Sequence, residues 1–190
     1  DKIDSYLQEQ LDFSSFTSSR PSEPQDIVLY GFGRIGRLMA RLLVQTTGPG
    51  NYFRLKAVVV RKGGENDLVK RASLLRRDSV HGRFIGTIRV DLDHDLLVVN
   101  GNPVKFIYAS GPAEINYEKL GINKPIVIDN TGIWRDEAAL SQHLDCGASK
   151  VILTAPAKGD IRNVVFGVND NSLTDSDNII SAASCTTNAI

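Results

Sequence analysis

A chain of 190 residues, 42% hydrophobic and 23% charged, has the material for one globular domain with tails and lies outside the disordered and collagen-like ranges of composition. Its 22 Lys and Arg balance 22 Asp and Glu, so no net field draws it to nucleic acid or an anionic membrane, and a small metabolite is the expected partner. No apolar run is long enough to cross a bilayer and no signal peptide opens the chain, so a cytoplasmic protein is expected, with Cys146 and Cys185 as free thiols and no metal site.

Ile3, Leu7 and Leu11 at helical spacing predict a short amphipathic helix, and the Ser- and Pro-rich stretch that follows reads as a linker. Residues 1–25 are therefore an extension, and a nucleotide-binding domain is expected over 26–184. Residues 27–30 form a short apolar run ending at Gly31, after which Ile35, Leu38, Met39, Leu42 and Leu43 recur at helical spacing. With a second apolar run at 55–60 this is a strand-helix-strand unit whose strands are parallel. Residues 66–77 hold Leu68, Leu74 and Leu75 among Lys and Arg, a helix with a solvated charged face. Alternating segments at 87–90, 96–99 and 104–107, split by Asp93-His94-Asp95 and Asn100-Gly101, predict an antiparallel insertion. Strands follow at 125–129 and 150–154, around a helix through Ala139, Leu140, His143 and Leu144 that Gly147 ends. Further strands are expected at 164–168 and 179–181. The fold class is α/β, a Rossmann-type doubly wound, mostly parallel sheet with a small antiparallel insertion.

Gly31-Phe32-Gly33-Arg34-Ile35-Gly36 matches the dinucleotide fingerprint between a strand and a helix, where its mechanics require it. Gly31 allows the tight turn, Gly33 the close approach of a pyrophosphate, and Gly36 close helix-to-strand packing, while the helix N-terminus offers free N–H groups. NAD-binding versions place an acid at the end of the second strand. Here stand Arg61 and Lys62, which leans toward NADP or dual use, although both side chains could equally face solvent; the cofactor is NAD or NADP.

Ser184-Cys185-Thr186-Thr187-Asn188 follows the last strand and is rich in small polar residues that can open a helix. A cysteine there gains from the helix dipole as a thiolate nucleophile. A buried, inert cysteine is the other reading of the residues alone. The two motifs together, Tyr-Gly-Phe-Gly-Arg-Ile-Gly-Arg at 30–37 and Ala-Ser-Cys-Thr-Thr-Asn at 183–188, resemble the glyceraldehyde-3-phosphate dehydrogenase family. Asp-Ser-Val-His-Gly at 78–82, Val-Asn-Gly-Asn-Pro at 99–103, Asn-Thr-Gly at 130–132 and Thr-Ala-Pro at 154–156 agree in order, so the likeness runs from about Ile27 to Ile190.

The resemblance implies that Cys185 attacks the aldehyde of glyceraldehyde 3-phosphate to give a hemithioacetal, which passes hydride to the nicotinamide and leaves a thioester, and that inorganic phosphate then releases it as 1,3-bisphosphoglycerate. By position Arg34 and Ile35 resemble residues along the cofactor phosphates, and Thr131, Gly132 and Thr154 those along its further course; Phe32 and Lys62 join them as candidate contacts. Ser184 and Thr186 resemble substrate contacts, and Asn188 the residue that holds the cysteine turn. Residues 185–190 would begin a catalytic domain. A chain starting at Asp1 and ending at Ile190, just past the motif, reads as part of a longer protein. Its activating histidine and phosphate sites would lie beyond, so the piece alone is expected to be inactive and the full-length subunit to form a homotetramer. Tyr30, Arg61-Lys62 and Ala189 depart from the family's usual Asn, Asn-Asp and second Cys. An erythrose-4-phosphate dehydrogenase, or a nucleotide-binding redox-sensing module built on Cys185, are the competing readings; aspartate-semialdehyde dehydrogenases resemble the cysteine stretch less. Cys146, Trp134 and Arg135 read as packing and surface groups.

Overall fold

The computed structural model describes residues 23–47 and 52–189, with Tyr6 in isolation; the expected helix over the first residues lies outside them. The first strand, β1 (Gln25–Tyr30), leads through the glycine turn into helix α1 (Arg34–Thr46) and back to β2 (Phe53–Val60), which pairs with β1 in parallel. Helix α2 (Asp67–Arg76) and a two-strand hairpin, β3 (Arg77–Asp78) with β4 (Gly82–Arg83), come next. A meander of β5 (Ile88–Asp91), β6 (Leu96–Val99) and β7 (Asn102–Tyr108) is followed by β8 (Ile126–Asp129), α3 (Glu137–Asp145) and β9 (Lys150–Leu153). The chain closes with β10 (Arg162–Asn163), β11 (Ile179–Ser181) and the short helix α4 (Cys185–Ala189).

One nine-stranded sheet has the order β10-β11-β9-β8-β1-β2-β7-β6-β5. From β10 through β7 every neighbouring pair is parallel, and the pairs β7–β6 and β6–β5 are antiparallel. The meander expected as an insertion thus extends the main sheet, because β7 returns parallel to β2. Its β6–β7 turn places Asn100 (φ 48°) and Gly101 (φ 84°) both in the left-handed region, the geometry that lets a two-residue turn follow the strand twist.

Central strands of a parallel sheet are covered on both faces, so their residues are apolar throughout. In β1, Ile27 and Leu29 pack on one side with Ala40 and Val44 of α1 and Leu68, Ala72 and Leu75 of α2. Val28 and Tyr30 face the other side, against Ile115, Tyr117 and Ile122. Leu140 of α3 closes a third cluster with Val151 and Leu153 of β9.

Two expectations are corrected. The apolar stripe of α1 does not face the core as a whole: Ile35 and Leu42 are about half exposed, and the buried face is Gly36, Ala40, Arg41 and Val44. Packing against the glycine turn requires Gly36 to face the strand, and the residues four and eight positions later come with it. Arg41 is tolerated there because Nε and Nη2 donate to the Leu75 carbonyl and Nη1 to that of Gly82, with the guanidinium over the Phe84 ring. Residues 164–168 are not a strand. Pairing stops at Asn163, and a turn follows in which the Asn169 carboxamide accepts from the Val165 N–H and Gly167 has φ +78°, leaving Phe166 and Val168 exposed.

Candidate functional site

Because the strands from β10 to β7 are parallel, the segments that leave their C-terminal ends share one edge of the sheet. Along that edge lie, in spatial order, the Cys185 segment after β11, Thr154 after β9, Asn130-Thr131-Gly132 after β8, the glycine turn after β1, Arg61 after β2 and Ala109-Ser110 after β7. From β11 to β2 is four strand spacings, about 19 Å. The chain order switches direction at β1, whose neighbours are β2 and β8. Open α/β sheets bind their ligands in the crevice at such a switch point.

A cleft of about 420 Å³ opens there, lined by Tyr30, Gly31, Phe32 and Gly33 on one side, by Val59, Val60 and Arg61 at the end of β2, and by Thr131, Ile133 and Trp134 beyond β8. Arg37, Arg71, Leu74, Ala109 and Ser110 complete the wall. Gly31 has φ +93°, and a Cβ on it would stand 2.9 Å from Thr131 Cγ2. A Cβ on Gly36 would run into the Gly31 carbonyl oxygen. Nothing lies within 4 Å of where a Cβ would stand at Gly33, and Gly33 caps α1 without any side-chain hydrogen bond. The approach to the start of α1, whose first N–H groups have no intrahelical acceptor, is thus open at Gly33, a fit for a ligand's pyrophosphate.

Asp129 shapes the far wall. Fully buried at the end of β8, its Oδ1 accepts from both the Thr131 N–H and Oγ1 at 2.7 Å, which sets the turn lining the cleft. Its Oδ2 lies 3.4 Å from His143 Nε2, and His143 in turn meets the Tyr30 ring edge-on, with centroids 4.7 Å apart. Burial, then the Asp129 charge, pushes the Tyr30 phenol up to about 12, so it stays a neutral wall of the cleft.

The other expected residues take different places. Arg34 turns away from the cleft wall, its Nη2 on Ser79 Oγ at 2.9 Å and its Nε 3.5 Å from Asp78. Ile35 is exposed, Gly36 is packed beneath the turn, and Gly132 is exposed with φ +65°. Thr154 Oγ1 donates to the Asp129 carbonyl. Lys62 stands outside the lining with its ammonium 5.9 Å from the Tyr108 ring centroid, so that Arg61 is the cation presented by this loop. Cys185 is exposed at the first position of α4. The Asn188 amide donates to the carbonyls of Ala182 and Ser184, and Ser184 Oγ accepts from the Thr186 N–H. The three histidines are engaged elsewhere, His81 with Asp78, His94 with Asp91 and His143 with Asp129.

Sequence reasoning missed Asp129, Arg37, Arg71, Ser110 and Trp134. The acid preceding Asn-Thr-Gly at the end of a strand was a usable signal for Asp129. Arg37 stood at the end of the 30–37 motif without being singled out, and nothing local marked Arg71, Ser110 and Trp134, which reach the cleft from separate elements.

Asp78 anchors the β3–β4 hairpin beneath the start of α1. The His81 and Val80 backbone N–H groups, then the His81 ring, hold its carboxyl well below the ordinary range, and Arg34 adds to them. A carboxylate depressed on folding stabilises the native state above its unfolded value of about 3.9, and that contribution is lost as pH falls below it. Asp78→Asn is therefore expected to be less stable at neutral pH and to lose less on acidification. Urea midpoints at about pH 7 and about pH 3 test this, and equal acid sensitivity in the two proteins would refute it.

Fold, switch-point cleft and glycine turn define a dinucleotide-binding α/β domain of the kind that serves oxidoreductases. Residues 25–137 match the family described as the NAD-binding domain of glyceraldehyde 3-phosphate dehydrogenase. The chain is 59% identical over 169 residues to a glyceraldehyde-3-phosphate dehydrogenase-like protein of Pseudomonas aeruginosa (strain UCBPP-PA14), covering 88% of this chain and 37% of that protein. It is 39% identical to the glyceraldehyde-3-phosphate dehydrogenase of Zymomonas mobilis and 38% to that of Thermotoga maritima, in each case over 86% of this chain and 46% of the relative. The chain belongs to the glyceraldehyde-3-phosphate dehydrogenase family, through the nicotinamide-dinucleotide-binding domain of that family. It spans less than half the length of these curated relatives. No helix among the described residues is long and apolar enough to cross a membrane.

Proposed function

We propose that this chain supplies the dinucleotide cleft and the nucleophile of a phosphorylating aldehyde dehydrogenase that converts glyceraldehyde 3-phosphate and inorganic phosphate to 1,3-bisphosphoglycerate. The observation that carries this reading is the Ser-Cys-Thr-Thr-Asn turn, which leaves the same sheet edge as the dinucleotide cleft with its thiol exposed. In this reading residues 26–184 are the nucleotide domain and 185–190 open a catalytic domain.

Bound in the cleft, the nicotinamide cofactor supplies the hydride acceptor. Gly31, Gly33 and the start of α1 would hold its pyrophosphate, and Thr131, fixed by Asp129, would line the cleft beside it. The thiolate of Cys185 adds to the aldehyde carbon and forms a hemithioacetal whose oxidation leaves a thioester on Sγ. Phosphate attacks that carbonyl, releasing the acyl phosphate and restoring the thiolate. Asn188 holds the cysteine turn by its two carbonyl contacts, and Ser184 and Thr186 flank the substrate. With all three histidines engaged elsewhere, the base that activates Cys185 comes from downstream sequence, and the chain alone turns over nothing measurable. The complete subunit assembles as a homotetramer and works in the cytoplasm.

The test is turnover of glyceraldehyde 3-phosphate and of erythrose 4-phosphate by the protein at the full length of its relatives, with mass spectrometry for an acyl group on Cys185 when phosphate is withheld. Acylation with preference for the triose is expected. Preference for the tetrose would assign the other aldehyde, and absence of any acyl adduct would remove the reading.

A further inference from the structure

Resting on the dinucleotide reading of the cleft, we infer that its β2 end is a 2′-phosphate site in which Arg61 and Arg71 select NADP over NAD. The wall carries three arginines, Arg37, Arg61 and Arg71, and no Asp or Glu. NAD-selective sites place at the end of this strand an acid that takes the ribose hydroxyls and repels a 2′-phosphate. Here that position presents a guanidinium.

Arg61 is exposed and follows directly on Val60, and its side chain makes no hydrogen bond or ion pair among the described residues. Arg71 reaches the same place from α2. Its Nε donates to Asp67 Oδ2 at 2.7 Å and its Nη2 to the Arg61 carbonyl at 3.0 Å, while Nη1 has no partner among the described residues. The two arginines are thus tied together through the backbone of the β2 loop. Of the two acids that follow β2, Glu65 is exposed and absent from the lining, and Asp67 does not compete for the ribose. Its carboxylate is engaged by Arg71 and tucked under the loop, where a Cβ on Gly63 would run into it, and it is absent from the lining.

Arg37 adds charge from α1. Burial is the main cause that lowers its guanidinium from the ordinary value, and the neighbouring Arg71 guanidinium adds to it, so that the two charges share this side of the cleft. Lys62 over Tyr108 contributes from outside the wall. A phosphate monoester brings close to two negative charges and three acceptor oxygens to such a place, and forked guanidinium donors match it better than they match a pair of ribose hydroxyls.

Calorimetric titration of the full chain with NADP and with NAD tests this without any catalysis. NADP should bind about tenfold tighter or more, with the difference shrinking as salt is raised. Arg61→Ser, an exposed position whose loss leaves packing intact, and Arg71→Gln should each bring the ratio toward unity because NADP loses more than NAD. Thermal unfolding shows whether each variant is folded, and Arg71→Lys, which keeps the charge, should retain part of the preference. NAD bound as tightly as NADP, or variants that weaken both ligands equally, would overturn the 2′-phosphate site and leave the dinucleotide cleft standing. Failure of a folded chain to bind either ligand would overturn both.

Discussion

Gly36→Ala is expected to weaken binding of either dinucleotide at least tenfold and to destabilise the domain. On propensity alone the substitution should help, since alanine inside a helix is favoured over glycine by about 1 kcal/mol. The new Cβ, however, points at the Gly31 carbonyl oxygen, which is backbone and cannot swing aside as a side chain would. The Gly31 N–H is held to the Val59 carbonyl at 2.8 Å, and Gly31 sits in the left-handed region with Thr131 close on its other side. Relief requires α1 to lift from β1, and overpacking of this kind costs about 1–3 kcal/mol, enough to outweigh the propensity gain. The lift also moves the N–H groups at the start of α1 away from the cleft, so affinity suffers more than stability. Urea unfolding read beside NAD(P) titration separates the two effects; unchanged affinity in the variant would show that the turn tolerates the displacement.

Cys185→Ser should reduce aldehyde oxidation by the complete protein on the order of 10³-fold or more while leaving dinucleotide affinity within about twofold. The sulfur is exposed and makes no hydrogen bond among the described residues, and Cys185 lies outside the cleft lining, so its replacement disturbs neither packing nor cofactor. What is lost is the sulfur nucleophile, and a serine hydroxyl is a far weaker one for addition to a carbonyl carbon. Residual turnover above a tenth of wild type would point to chemistry that does not pass through this residue. Loss of NAD(P) binding alongside turnover would mean that the cysteine turn is part of the cofactor wall.

Much of the architecture was legible because it is encoded over short spans. A β-rich run ending in Gly-x-Gly-x-x-Gly and continuing at helical spacing leaves few conformations open, and β1, the turn and α1 form as expected. The same holds for the paired left-handed residues Asn100-Gly101 between β6 and β7. The end of α3 also belongs here: Gly147 at φ +99° donates to Leu144, and Ala148 to His143. Residues 164–168 misled because an apolar run has the composition of a strand wherever it falls, while strand formation needs a neighbour, and β11 offers pairing only to Arg162 and Asn163.

By itself, then, the sequence determined the family, the glycine turn and the cysteine turn, since each depends on residue types at fixed short spacings that steric and hydrogen-bonding rules interpret directly. Only the tertiary structure decided which face of α1 is buried, that buried Asp129 holds Thr131 against the cleft, and that Arg71 joins Arg61 at the end of β2. Those facts depend on strand order and helix docking, which bring together side chains from α2, β2 and β8 through the burial of apolar surface on both faces of one sheet, and no local spacing records them.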